Sequence, residues 1–184
     1  MKIKTQNSEK ALLKALIREK VCVGNPFNVT DPTQYSFLIG QREKLYTLLN
    51  PNLLLRNLKV FFHFLQNMVQ TGESLCFILN TNNFVLFEKL NHACKSSDHY
   101  VFNQNIKLNN LFSEKKPKAI IALFLDTSRM NVLYAEAKSL NIPIISFTNQ
   151  ISNFFSSDFQ VIASFKNKSA QNLLISLIIL SLKK

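Results

Sequence analysis

Three unbroken apolar runs constrain this chain more than any other feature: Leu75–Leu79 (LCFIL), Ala119–Leu125 (AIIALFL) and Ile142–Phe147 (IPIISF). None alternates apolar with polar. A strand that reads this way has both of its faces covered, and the usual cover is helices on either side of a parallel sheet. Helical patterns stand between the runs, at Phe84–Cys94 and Ser128–Leu140. The expectation is a three-layer α/β/α domain of the Rossmann or flavodoxin-like kind, with a mostly parallel sheet.

The flanking segments extend that plan. Ser8–Lys20 has Ala11, Leu12, Ala15 and Leu16 at helical spacing, with Ser8 as a candidate N-cap and Gly24-Asn25-Pro26 as a stop. Two short strand-like pieces, Tyr35–Ile39 and Lys44–Leu49, lie either side of Gly40. Asn50-Pro51 opens a long helix to about Gln70, with Leu54, Leu58, Phe61, Phe62, Leu65 and Val69 on its apolar face. Tyr100–Phe102 and Gln160–Ala163 are brief strand candidates, and Ser169–Leu182 is a closing helix. No linker or internal repeat divides the chain, so we expect a polar tail over 1–7 and a single domain over 8–184.

The strand ends decide whether such a domain is an enzyme, because open α/β sheets bind ligands beyond their carboxyl ends. The turn after Leu79 is Asn-Thr-Asn-Asn and the turn after Leu125 is Asp-Thr-Ser-Arg; the only glycines, Gly24, Gly40 and Gly72, form no phosphate-binding motif. Asp126 ends a buried run and is the centre of the alternative reading, a small α/β enzyme or phospho-receiver. No second acid stands near it in sequence, and capping of the next helix is the plainer role. The enzyme reading predicts lost activity on Asp126→Asn, whereas a capping Asp predicts at most about 2 kcal/mol of destabilisation. His92, Cys94 and His99 match no zinc spacing, His63 sits among phenylalanines, and Cys22 and Cys76 lie in apolar settings. We therefore expect no catalytic residue, no cofactor and no metal.

Charge is the remaining signal. The chain carries 22 Lys+Arg against 11 Asp+Glu, a formal +11 over 184 residues. Lys10, Lys14 and Arg18 form one stripe on the first helix, and further groups are Arg42/Lys44, Lys115/Lys116/Lys118 and Lys166/Lys168, with Lys183/Lys184 at the end. Scattered cations in loops suit contacts to a phosphate backbone, which supply affinity without reading sequence. A membrane is disfavoured: the most apolar tract, Leu173–Leu182, is about half of the roughly 20 residues a span needs. The N-terminus has neither a signal core nor a presequence pattern. With 27 Leu, 21 Asn and 16 Phe but only 3 Gly and no Trp, composition leans toward A+T-rich codons, which fits an organelle-encoded gene.

Several motifs together resemble the universal small-subunit ribosomal protein S-two family, in its mitochondrial form. Pro117–Gln150 is similar to that family's strand ending in Asp, helix with Glu-Ala, Asn/Gly-Ile-Pro turn and strand, carried by Asp126, Ala135, Glu136, Ala137, Ile142 and Pro143. Tyr35–Leu65 resembles its Gly-x-Arg turn, at Gly40 and Arg42, with a long helix after it; the segment from Ser157 to Leu182 resembles its last strand, turn and helix. The family's Trp- and Gly-containing motif has no counterpart around Tyr100–Phe112, and its helical-hairpin insertion is missing, leaving only Asn103–Lys118. The resemblance implies a non-catalytic constituent of the mitochondrial small ribosomal subunit, with a reduced plastid as the other compartment. Its partners would be small-subunit rRNA and neighbouring ribosomal proteins, with no membrane and no small-molecule substrate.

Overall fold

The computed structural model describes residues 6–24, 36–42, 46–80, 84–95, 98–104, 108, 116–148 and 157–182. The three apolar runs form three adjacent strands, as their lack of alternation demands. Five strands make one parallel sheet: β3 (Leu75–Leu79), β4 (Tyr100–Asn103), β5 (Ala119–Leu123), β6 (Ile144–Thr148) and β7 (Phe159–Ile162), in the order β4-β3-β5-β6-β7. Every residue of β3, β5 and β6 is buried.

Successive residues of those strands serve opposite cores. Leu75, Phe77, Leu79, Ile121, Leu123, Ile145 and Phe147 face a large core shared with helices α1 (Gln6–Arg18), α2 (Pro51–Thr71), α3 (Phe84–Lys95) and α5 (Lys168–Leu182). Cys76, Ile78, Ile120, Ala122 and Ile144 face a smaller one, filled by Met130, Leu133 and Ala137 of α4 (Thr127–Ser139). This is the three-layer α/β/α arrangement. A separate antiparallel hairpin, β1 (Leu38–Arg42) with β2 (Tyr46–Leu49), lies beside it.

α2 is the best-terminated helix. The Asn50 side chain accepts from the amides of Asn52 (3.0 Å) and Leu53 (3.3 Å), and Pro51 loses no hydrogen bond at the first helical position. Gly72 ends it at φ 70°, where a Cβ would be strained, and the Glu73 amide returns to the Met68 carbonyl at 3.1 Å. Its apolar stripe from Leu54 to Val69 is buried, and Phe61 meets Phe147 edge-on at 4.6 Å.

Several boundaries differ from expectation for local reasons. α1 begins at Gln6, so Ser8 lies inside the helix rather than capping it. It ends at Arg18, ahead of the expected Gly24-Asn25-Pro26 stop, with Lys20 in the left-handed region (φ 57°). Gly40 sits within β1, which runs Leu38–Arg42 with a bulge between Leu38 and Gly40, instead of separating two strands. Pro143, without an amide proton, stays outside β6 while its carbonyl accepts from Ile120 at 2.9 Å. The expected lack of a helical hairpin falls on 103–118, of which 105–107 and 109–115 lie outside the described residues.

Candidate nucleic-acid interface

The winding of the sheet reverses between β3 and β5: β3-α3-β4 proceeds outward over one face, and β5-α4-β6 proceeds the other way over the opposite face. Such a switch point is where an open α/β sheet places a ligand. Here its groups are bonded to one another. The Asn80 amide donates to the Leu123 carbonyl (3.0 Å) and the Asn80 side chain donates to Asp126 Oδ2 (3.3 Å). The Gln104 amide reaches the Leu79 carbonyl (3.0 Å), and Arg129 Nε donates to the Gln104 carbonyl. Asp126 thus stands at the N-cap position of α4 with extended backbone, but its side chain makes no capping bond. The capping role expected from sequence is incorrect: the carboxylate turns to β3, where a side-chain amide at the end of the neighbouring strand offers a donor.

The carboxylates of Glu136 and Asp158 have structural partners. Glu136 Oε2 accepts the Leu108 amide at 2.9 Å and so pins the β4–β5 connection to α4. Asp158 Oδ2 accepts the Ile144 amide at 2.7 Å while the Asp158 amide donates to the Ile144 carbonyl at 2.9 Å, joining the starts of β6 and β7. Burial pushes the thiols of Cys22 and Cys94 up to about 11 and about 12, and that of Cys76 higher still. Such thiols are protonated hydrophobes at neutral pH. No group of three or more His, Cys, Asp or Glu among the described residues could hold a metal ion.

His99 is buried, with Nδ1 accepting the Leu75 amide at 3.3 Å. That bond places the ring proton on Nε2, which is buried without a partner. Burial holds the pKa of His99 below its usual value, with Asp98 opposing. On acidification the unfolded chain therefore takes up this proton first. Stability from His99 is complete above pH ~6.5 and declines as pH falls toward the folded-state value. Urea midpoints should drop as the pH falls through about 6.5, the ordinary histidine value. His99→Gln retains an acceptor for Leu75 but cannot titrate, so it should flatten that slope; an unchanged slope would refute the assignment.

Two groups of the candidate cations lie at opposite ends of the sheet. Lys116 and Lys118 are exposed at the amino end, where the Lys118 amide donates to Ser74 (2.8 Å) and Lys116 Nζ approaches the Leu140 carbonyl (3.5 Å). At the carboxyl end, the Ser164 amide donates to the Val21 carbonyl (2.9 Å), which brings the end of α1 against the β7–α5 turn. This contact places Lys20 with Lys166, and the Glu19–Ser169 hydrogen bond brings the end of α1, with exposed Arg18, to the start of α5, with exposed Lys168; Lys10 and Lys14 are exposed farther back along α1. Two acids accompany these cations: Glu9 pairs with Lys59 of α2 at 2.7 Å, and hydrogen bonds from Ser169 and then Arg18 (2.9 Å) hold the Glu19 carboxyl below the usual range.

Arg42 lies in β1 with its backbone paired to Tyr46, while Lys44, Lys115 and Lys183/Lys184 are outside the described residues. Sequence reasoning missed Lys20 and Tyr46. Lys20 has no basic neighbour in the segment that follows, and only the alternation of Tyr46-Thr47-Leu48-Leu49 hinted that Tyr46 faces outward. Among the described residues no helix is long and apolar enough to cross a membrane. No protein-family model matches the chain, and no curated protein sequence matches it either.

Proposed function

We propose that this chain is a non-catalytic, rRNA-binding constituent of an organellar small ribosomal subunit, the mitochondrial one. The observation that carries the reading is the meeting of Lys20 with Lys166 at the carboxyl end of the sheet, where the end of α1 packs on the β7–α5 turn. Arg18 and Lys168 are exposed next to them, Lys10 and Lys14 are exposed farther back along α1, and the two acids of α1 and its end, Glu9 and Glu19, are engaged by Lys59 and by Ser169 and Arg18. A surface of this kind binds a phosphate backbone at many points. The ribosomal S-two resemblance of Pro117–Gln150 and Tyr35–Leu65 supplies the particle, and the A+T-leaning composition supplies the compartment. The neighbouring ribosomal proteins would then pack around the same body.

The switch point supports a scaffold over an enzyme, because Asn80, Gln104, Asp126 and Arg129 hold the strand ends to one another. A tagged full-length chain should co-sediment with small-subunit rRNA through a sucrose gradient and detach steeply as salt rises. A chain that remains at the top of the gradient overturns the proposal.

A further inference from the structure

The hairpin carries an unusual outer side. Thr47 and Leu49 are buried, so the alternation of the strand turns Tyr46 (51% exposed) and Leu48 (36%) outward; Ile39 of β1 is 63% exposed. The presentation is fixed. Val23 bridges Leu48, the Gly24 amide donates to the Thr47 carbonyl (2.8 Å), and the Leu49 amide donates to the Cys22 carbonyl (2.9 Å).

Between this side and the β7–α5 turn runs an open groove of about 550 Å³, lined by Tyr46, Leu48, Val23, Lys20, Lys166 and Ser164, among others. That is room for a nucleotide-sized body, since small-ligand sites span roughly 300–1,000 Å³. Among the described residues its lining combines an exposed aromatic ring, aliphatic side chains and two lysines, with no carboxylate.

A partner complementary to that lining is planar and apolar on one side and anionic on the other. An unpaired nucleotide in a phosphodiester chain has this character, whereas a duplex hides its base faces and offers the lysines only phosphate. We propose that the groove takes a single-stranded RNA segment, with one base against Tyr46 and Leu48 and the adjoining phosphates near Lys20 and Lys166. This assignment rests on the RNA-binding reading of the same surface and specifies strandedness, which that reading leaves open.

The test is fluorescence anisotropy on the full chain with a labelled single-stranded RNA of about 10 nucleotides and a duplex of equal length. Tyr46→Ala should weaken single-strand binding about 5- to 100-fold and leave duplex binding unchanged, while Tyr46→Phe stays within about twofold. Lys20→Gln and Lys166→Gln should each make the slope of log affinity against log salt shallower by about 0.7 on the single strand. The Lys116→Gln, Lys118→Gln pair should leave the ratio of single-strand to duplex affinity unchanged. An equal loss on both RNAs, or none, for Tyr46→Ala overturns the groove assignment, as does photo-cross-linking of Tyr46 to a peptide instead of a nucleotide. If the wild-type chain co-sediments with the subunit but Tyr46→Ala binds the single strand normally, the groove fails and the ribosomal reading stands. If Tyr46-dependent single-strand binding is present but co-sedimentation is absent, the ribosomal reading fails and the groove stands.

Discussion

Replacing Phe61 by alanine should lower the unfolding free energy by about 3–5 kcal/mol, the range for removing an aromatic ring from a closed core. Phe61 has no exposed surface. Its ring meets Phe147 of β6 at 4.6 Å and 78°, and the adjacent Phe62 at 5.3 Å. Phe147 in turn meets Phe165 at 5.9 Å, so the cluster ties α2 through the sheet to the turn before α5. A cavity at its centre cannot close by moving one side chain, because the neighbours belong to three different elements. Urea unfolding of Phe61→Ala against Phe61→Leu measures the effect. A loss below about 1 kcal/mol for the alanine variant would show that the cluster is loosely packed.

The second large effect is expected at Leu108. This side chain has no exposed surface and packs in the smaller core with Cys76, Ile78 and Ile120, held by the bond from its amide to Glu136. Leu108→Ala should cost about 2–5 kcal/mol. Glu136→Ala should cost about 1.5–3 kcal/mol, the range for a hydrogen bond to a charged group. The two changes remove parts of one attachment, so the double variant should lose less than the sum of the single ones. Chemical denaturation of the four proteins gives the coupling directly; strict additivity would mean that the amide bond and the side-chain packing act independently.

The sheet was legible because its strands bury both faces, and an unbroken apolar run reports that condition locally. The helix from Asn50 to Gly72 was legible because its ends carry their own chemistry, an Asn cap with Pro at one end and a left-handed Gly at the other. What escaped reading depends on contacts distant in sequence. Asp126 looks like a cap until Asn80, on another strand, takes its carboxylate. Ser8 looks like a cap although the helix starts two residues earlier, since Gln6 and Asn7 give no breaking signal. Lys20 and Lys166 come together through contacts between distant segments, such as the hydrogen bond between Ser164 and Val21. Local pattern carries no information about a surface assembled from two segments so far apart.

The helix α5 lies between α2 and α3 in the layer over the larger core, yet it follows every strand in chain order. Leu174, Ile175, Ile178 and Leu182 complete that core. During synthesis the preceding elements therefore emerge with an open apolar channel where α5 will lie. The parallel strand pairs are likewise non-local, which slows folding. Until α5 docks, the nascent chain exposes the kind of surface that chaperones bind. Protease resistance of the nascent chain is therefore expected only after α5 has been synthesised and has docked.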